Sequence, residues 1–241
     1  MRNEGRSLYG GLNPRDVPVY GIAEAAGYLG IPVSTLRSWT VGQHYRRDGE
    51  WRDFNPIIGI PRTGENLLSF TNICEAHVCD ALRRVHDIPF QRIRSAIHHL
   101  REWFPERTHP LIENSFATSG VELFVERASS LINLTQPGQV AIREILNLYL
   151  KRVEFDEQGL AHRLFPFTWR TERPTDSPRV VVLDPCILFG RPALVGSRIA
   201  TSIVYERWAA GESVQTLAAD YCREVQEIEE ALRCEQYQQA A

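Results

Sequence analysis

A break of three residues, Gly30-Ile31-Pro32, constrains this chain more than any other feature. Before it, Ile22-Ala-Glu-Ala-Ala-Gly-Tyr-Leu29 repeats apolar residues at helical spacing, and after it Val33-Ser-Thr-Leu-Arg-Ser-Trp-Thr40 begins the same spacing again. Glycine tolerates positive φ and proline suits the first turn of a helix, so the pattern predicts helix, tight turn, helix. Ala26, Leu29 and Leu36 are placed to wedge the two helices together. Ser34, Thr35, Arg37 and Ser38 are short or basic and lie near the beginning of the second helix. Such a helix can enter a major groove, its N-terminal end close to phosphate and its side chains at base edges. A plain helical hairpin with a solvated polar face would give the same local pattern.

The following residues, 42 to 68, contain several turn signals and two short apolar runs, and read as extended chain doubling back in a wing. Tyr45, Arg46, Arg47, Arg52 and Arg62 would then bind phosphates, with Trp51 either packing the base of the wing or touching sugar. A helix over residues 69 to 84 should bury Phe70, Ile73, Ala76 and Leu82. Pro89 opens another helix, with Phe90, Ile93, Ile97, Leu100 and Phe104 on one face.

Charge divides along the 241 residues, whose 43% hydrophobic content is that of an ordinary globular chain. Residues 1 to 107 hold 14 arginines and 12 acids, net +2, whereas the remainder has net charge −5. Lys151 is the only lysine, and the other 26 basic residues are arginines, a bias that genome composition or a need for planar phosphate and carboxylate recognition would explain. A first arginine cluster lies at positions 37 to 62. A second, Arg83, Arg84, Arg92, Arg94 and Arg101, reads as facing only Asp87. Residues 211 to 241 carry seven acids and only Arg223 and Arg233, which makes them a poor phosphate binder.

The expected fold class is α+β and mainly helical. Residues 1–107 form a winged helix-turn-helix domain, residues 108–170 a small mixed α/β middle block, residues 171–178 an exposed linker, and residues 179–241 a three-helix, homeodomain-sized unit with short strands. In the middle block, residues 120 to 126 alternate like a strand, 130 to 135 resemble its partner, 139 to 151 look helical, and 153 to 165 read as a hairpin turning at Glu157-Gln158-Gly159. In the last block helices are predicted over about 201 to 210, from the Ser213 cap to 220, and over about 224 to 235. Val204, Trp208, Leu217, Tyr221, Val225, Ile228 and Leu232 would form their common core.

Two resemblances follow from these residues. Ser34-Thr35-Leu36-Arg37-Ser38-Trp39, with Leu68-Ser-Phe70 and Ile88-Pro89-Phe90 through Ile93, resembles the MerR-type winged helix-turn-helix family over residues 20 to 104. That likeness implies DNA binding through Arg37, its neighbours and the wing. The segment from 42 to 64 is longer than that family's compact wing, and no extended coiled coil follows residue 104. Gly190-Arg-Pro-Ala-Leu-Val-Gly-Ser-Arg-Ile199, Ala210-Gly-Glu-Ser-Val214 and Ile228-Glu-Glu-Ala-Leu232 resemble the bacterial domain catalogued as DUF 433, with Ser197 and Arg223 departing from its usual Thr and Thr or Ser cap. Together they resemble the larger VapB-type antitoxins, which implies a PIN-type ribonuclease toxin as partner, an operator as DNA target, and Arg163, Arg170 and Arg173 as residues for toxin contact. A homodimer on a palindromic operator is expected, since a single recognition helix offers few base contacts. A stand-alone MerR-like regulator and a zinc-dependent enzyme are the alternatives.

Catalysis has little support. Cys74, His77 and Cys79, with His98-His99, invite a zinc reading, but their spacing suits no common finger, and buried structural thiols are the expectation. Cys186 lacks an identifiable histidine base. No catalytic residue, metal or cofactor is assigned. The N-terminus reads as no signal peptide, no apolar run is long enough to span a bilayer, and five unpatterned cysteines fit a reducing compartment, so the expected location is the cytoplasm.

Overall fold

The computed structural model describes residues 9–47, 49–61, 64–85, 90–103, 108–132, 135–169 and 176–239. Among these residues nine α-helices carry the fold, with four two-stranded sheets between them. No described helix is long and apolar enough to cross a membrane. The chain divides into two compact units, one of residues 1–36, 61–70 and 163–241, the other of residues 37–60 and 71–162.

In the first unit the two-residue strands β1 (Tyr20–Gly21) and β4 (Leu67–Leu68) pair antiparallel, Tyr20 opposite Leu68. Helix α1 (Ile22–Leu29) leaves β1, and Gly30 ends it in the left-handed region at φ 68°. The Ile31 amide then donates to Ala26 O at 3.0 Å, closing the helix end in the Schellman manner. Ala26, Leu29 and Leu36 are all buried, as their spacing predicted.

The C-terminal part of this unit contains β7 (Val181–Val182) paired with β8 (Ala193–Leu194), then α7 (Thr201–Ala209), α8 (Val214–Tyr221) and α9 (Val225–Gln239). Leu194, Val204, Leu217, Ile228, Ala231 and Leu232 form its core. Ser213 caps α8 by accepting the Thr216 amide at 3.1 Å. Two expected core residues are not interior: Trp208 and Val225 are 36% and 37% exposed. They stand at the last and first turns of their helices, where neighbours cover only one side. Where Arg223 replaces a hydroxyl cap, Glu227 reaches back to accept the Glu224 amide at 3.1 Å, supplying the capping by another carboxylate.

Helix α9 packs on both α7 and α1, so the first helix of the helix-turn-helix shares an interior with the C-terminal helices. The Tyr20 hydroxyl donates to Gly190 O at 2.9 Å, at a glycine whose φ is +82° and whose missing side chain leaves room for the ring. The Tyr28 hydroxyl donates to Glu24 Oε1 at 2.8 Å, and burial raises its pKa.

The second unit consists of the hairpin β2 (Gln43–Arg47) and β3 (Glu50–Phe54) and helices α3 (Phe70–Arg83), α4 (Phe90–Trp103), α5 (Val121–Ile132) and α6 (Gln136–Leu150). Helix α2 (Val33–Thr40) and strand β6 (Ala161–Leu164), the partner of β5 (Val153–Phe155), each run from one unit into the other. Phe70, Ile73, Ala76 and Leu82 are buried on α3, and Ile97 and Leu100 on α4.

Residues 121 to 126 and 130 to 132, expected as strands, are instead parts of α5, entered through a π-helical turn at Phe116–Gly120; residues 133 and 134 lie outside the described residues, and Thr135 caps α6. The buried residues are Val121, Phe124, Val125 and Ala128, spaced i, i+3, i+4 and i+7. Alternation and this helical stripe share Val121 and Val125, while Phe124 and Ala128 belong to the helical stripe alone.

Candidate nucleic-acid interface

Helix α2 presents Ser34 and Arg37 as exposed side chains, with Thr35 and Ser38 half-buried, while Leu36 and Trp39 are buried on the opposite side. This division follows from 3.6 residues per turn, because Leu36 and Trp39 are three apart and share the inward stripe. Arg37 makes no side-chain hydrogen bond or ion pair among the described residues.

After α2 the chain turns at Gly42, whose φ is +87° and where an added Cβ would stand 2.6 Å from Phe54 O. The hairpin follows, with Tyr45 opposite Arg52, Arg46 opposite Trp51 and Arg47 opposite Glu50. The sequence predicted an extended wing, and the ladder gives it a register. Arg46 is exposed and its Nε donates to Gly49 O at 3.3 Å across the turn. Trp51 is 74% exposed, so it does not pack the base of the wing. His44 hydrogen-bonds to Asp53 at 2.5 Å on the same outer face. Arg62 lies outside the described residues.

Beyond the hairpin, the amides of Ile57 and Ile58 both donate to Trp39 O, at 2.8 and 2.9 Å. Their side chains are buried. Asn72 on α3 donates to Gly59 O at 2.7 Å, and Arg94 on α4 donates to Asn55 O while its guanidinium lies 3.3 Å over the Phe54 ring. The return strand is therefore fixed to the last turn of α2, and hairpin and helix end are held together by backbone groups. That attachment ties the hairpin to the end of the helix that carries Arg37.

The second arginine cluster has a different use. Arg83 and Arg84 meet buried Asp80 at 2.7 and 2.6 Å, three and four residues back along α3, and the Tyr149 hydroxyl donates to the same carboxylate at 3.3 Å. Arg94 is itself buried. Sequence counting missed Asp80 because it looked for acids between the arginines rather than one helical turn before them.

The residues that invited a zinc reading also have structural employment. Cys74, His77 and Cys79 are buried, and the His77 ring packs 4.7 Å from that of Tyr149 and bonds its carbonyl oxygen at 3.1 Å. Burial pushes the His77 pKa down to about 4. Among the described residues no group of three or more His, Cys, Asp or Glu side chains could hold a metal ion. Burial and nearby Asp184 raise the pKa of the Cys186 thiol, which disfavours the thiolate a nucleophile needs.

Arg163, on β6, pairs with Asp184 at 2.9 Å and remains partly exposed. Arg170 and Arg173 lie outside the described residues. Of the segment expected as a linker, Asp176 is exposed and Ser177 is buried, its hydroxyl accepting from the Thr168 amide at 2.9 Å.

Residues 18–97, which include α1, α2 and the hairpin, match the family described as "Putative DNA-binding HTH domain", and residues 181–233 match "Protein of unknown function (DUF433)". Over 235 residues, 90% of this chain and 93% of its relative, the sequence is 32% identical to "Putative antitoxin VapB45" of Mycobacterium tuberculosis. The chain belongs to the VapB45 family of antitoxins. Its similarity extends to the uncharacterized protein Rv2308 of the same organism, at 27% identity over 90% of both chains. The crystal structure of Rv2018 from Mycobacterium tuberculosis superimposes with a TM-score of 0.67 at 30% identity, covering 90% of this chain and 98% of that one. In this antitoxin the DNA-binding match thus falls on the α1–turn–α2 and hairpin region, and the DUF433 match on the C-terminal helices.

Proposed function

We propose that this antitoxin binds and neutralises a PIN-type ribonuclease and represses its own operon in the cytoplasm, acting as a homodimer on a palindromic operator. Residues 1–107 would supply the operator contacts. Residues 179–241 would support dimerisation, with toxin contact from the middle block 108–170 or the linker 171–178. Ser34, Thr35, Arg37 and Ser38 on α2 would meet base edges and phosphate, while Tyr45, Arg46, Arg47, Arg52 and Arg62 bind the backbone beside the groove. Arg163, Arg170 and Arg173 would meet carboxylates of the toxin through charge-assisted hydrogen bonds.

The observation that supports this most strongly is the pair of backbone bonds from Ile57 and Ile58 to Trp39 O, which fixes the hairpin to the end of a helix whose exposed side carries Arg37. A helix held this way arrives at a duplex already oriented, so less ordering opposes binding. The test is co-expression with the product of the adjacent reading frame, which this reading expects to be a PIN-type ribonuclease. Co-purification, loss of the ribonuclease activity, and salt-dependent binding to the upstream DNA are expected. Failure to co-purify removes the toxin partner, and DNA affinity indifferent to salt removes the operator contact.

A further inference from the structure

The C-terminal part of the first unit contains a cleft of about 400 Å³ whose apolar lining includes Phe165, Val182, Ile187 and Val195. Among the described residues, the ionisable side chains lining it are Arg163 and Arg198. These two arginines are not equivalent. Arg163 is a fixed post: its Nε donates to Asp184 Oδ2 at 2.9 Å, and Asp184 in turn accepts the Cys186 amide at 2.9 Å. Arg198 is exposed, with no side-chain partner among the described residues. The turn that carries it is set by Ser197, whose hydroxyl donates to Leu194 O at 2.8 Å and accepts the Ile199 amide at 3.1 Å. Phe165 of the lining is itself covered by the Arg179 guanidinium, 4.0 Å from the centre of its ring.

With Arg163 paired to Asp184, the charge of Arg198 leaves this mouth basic, although residues 211 to 241 of the same unit carry seven acids and two arginines. An acidic segment would be repelled by the latter helices and drawn to the cleft. The apolar lining discriminates further. A sugar-phosphate backbone would meet the arginines and leave Phe165 and Val195 uncovered, whereas a peptide can place an apolar side chain in the cleft and a carboxylate on the guanidinium. We infer that this cleft receives an acidic peptide segment of the toxin, an apolar side chain entering beside Val195 and an adjacent carboxylate pairing with Arg198. The inference rests on the antitoxin reading above and names where and by what chemistry the partner is held.

The experiment titrates the full-length chain with the purified product of the adjacent reading frame, the toxin on the reading above, with upstream DNA binding measured in parallel. Arg198→Glu should weaken toxin binding by about tenfold or more, and Arg198→Lys by only about threefold, since charge survives but the planar fork is lost. Val195→Asp, which places a carboxylate in the apolar lining at a half-buried position, should weaken it comparably. DNA affinity and melting temperature should be unchanged in all three. Toxin binding at wild-type strength by Arg198→Glu and Val195→Asp overturns the cleft while leaving the antitoxin reading intact. Loss of DNA affinity instead reassigns the cleft to phosphate and overturns the peptide. No toxin binding by the unmodified chain overturns the antitoxin reading, and the cleft's occupant with it.

Discussion

Arg37 on α2 and the pair Arg83 and Arg84 at the end of α3 are arginines of similar chain context in the N-terminal half, with opposite relations to their surroundings. Arg37 is exposed with no side-chain partner among the described residues, whereas Arg83 and Arg84 converge on Asp80, a carboxylate only 2% exposed. The difference lies in what precedes each residue by one turn. Positions 33 and 34 before Arg37 are Val and Ser, while Asp80 stands three and four residues before the others. A cluster of arginines in sequence is therefore available to a polyanion only after its helical neighbours have been counted. The hairpin repeats the lesson, with Arg46 exposed and, among the described residues, bonded only to Gly49 O across the turn, and Arg94 buried against Asn55 and Phe54.

The largest test of that contrast is Asp80→Ala. Removing the shared carboxylate takes the acceptor from two partly exposed arginines and the Tyr149 hydroxyl, and should cost about 3 kcal/mol in denaturant unfolding. A cost under about 1 kcal/mol would show that Arg83 and Arg84 are not held there. Close in size is the pH response of the neighbouring His77. Its pKa falls from 6.5 to about 4 on folding because burial opposes its charge, so the unfolded chain binds more protons in that interval. Stability is full above about pH 6.5 and should decline by roughly 3 kcal/mol as pH falls to about 4, a trend that His77→Gln would flatten.

Gly42→Ala attacks the other region. A Cβ there meets Phe54 O at 2.6 Å from a residue at φ +87°, so we expect a loss of about 1 to 3 kcal/mol in stability and weaker DNA binding from a displaced hairpin. Unchanged melting would mean that the turn relaxes at no cost. The smallest effect on folding belongs to Trp51→Ala, where stability should stay within about 0.5 kcal/mol because the ring is exposed. Operator affinity should nevertheless fall by about 1 kcal/mol if the ring rests on sugar or base.

Much of this was legible in the sequence where local chemistry decides the conformation. The Gly30-Ile31-Pro32 break, the Ser213 cap and the wedge of Ala26, Leu29 and Leu36 depend on residues within a turn of one another. Residues 121 to 132 were not legible, because a short apolar alternation fits either a strand or the Val121, Phe124, Val125, Ala128 stripe until packing chooses. Of the candidate interface, the sequence marked Arg37, Arg46 and Trp51, but left Trp51 between packing and contact. The attachment of Ile57 and Ile58 to Trp39 O was invisible, since no side-chain pattern records a backbone bond across eighteen residues. The basic cleft was only partly visible through Arg163, because Arg198 joins it by folding rather than by spacing.

The most direct measurement is a paired titration of upstream DNA with Arg37→Ala and Arg84→Ala at several salt concentrations, alongside their melting curves. Arg37→Ala should lose about 1 to 3 kcal/mol of binding and flatten the salt slope with melting unchanged, while Arg84→Ala melts lower and binds DNA as before. DNA binding by Arg37→Ala at full strength, with the loss appearing in Arg84→Ala, would contradict the assignment of α2 and the hairpin as the nucleic-acid surface.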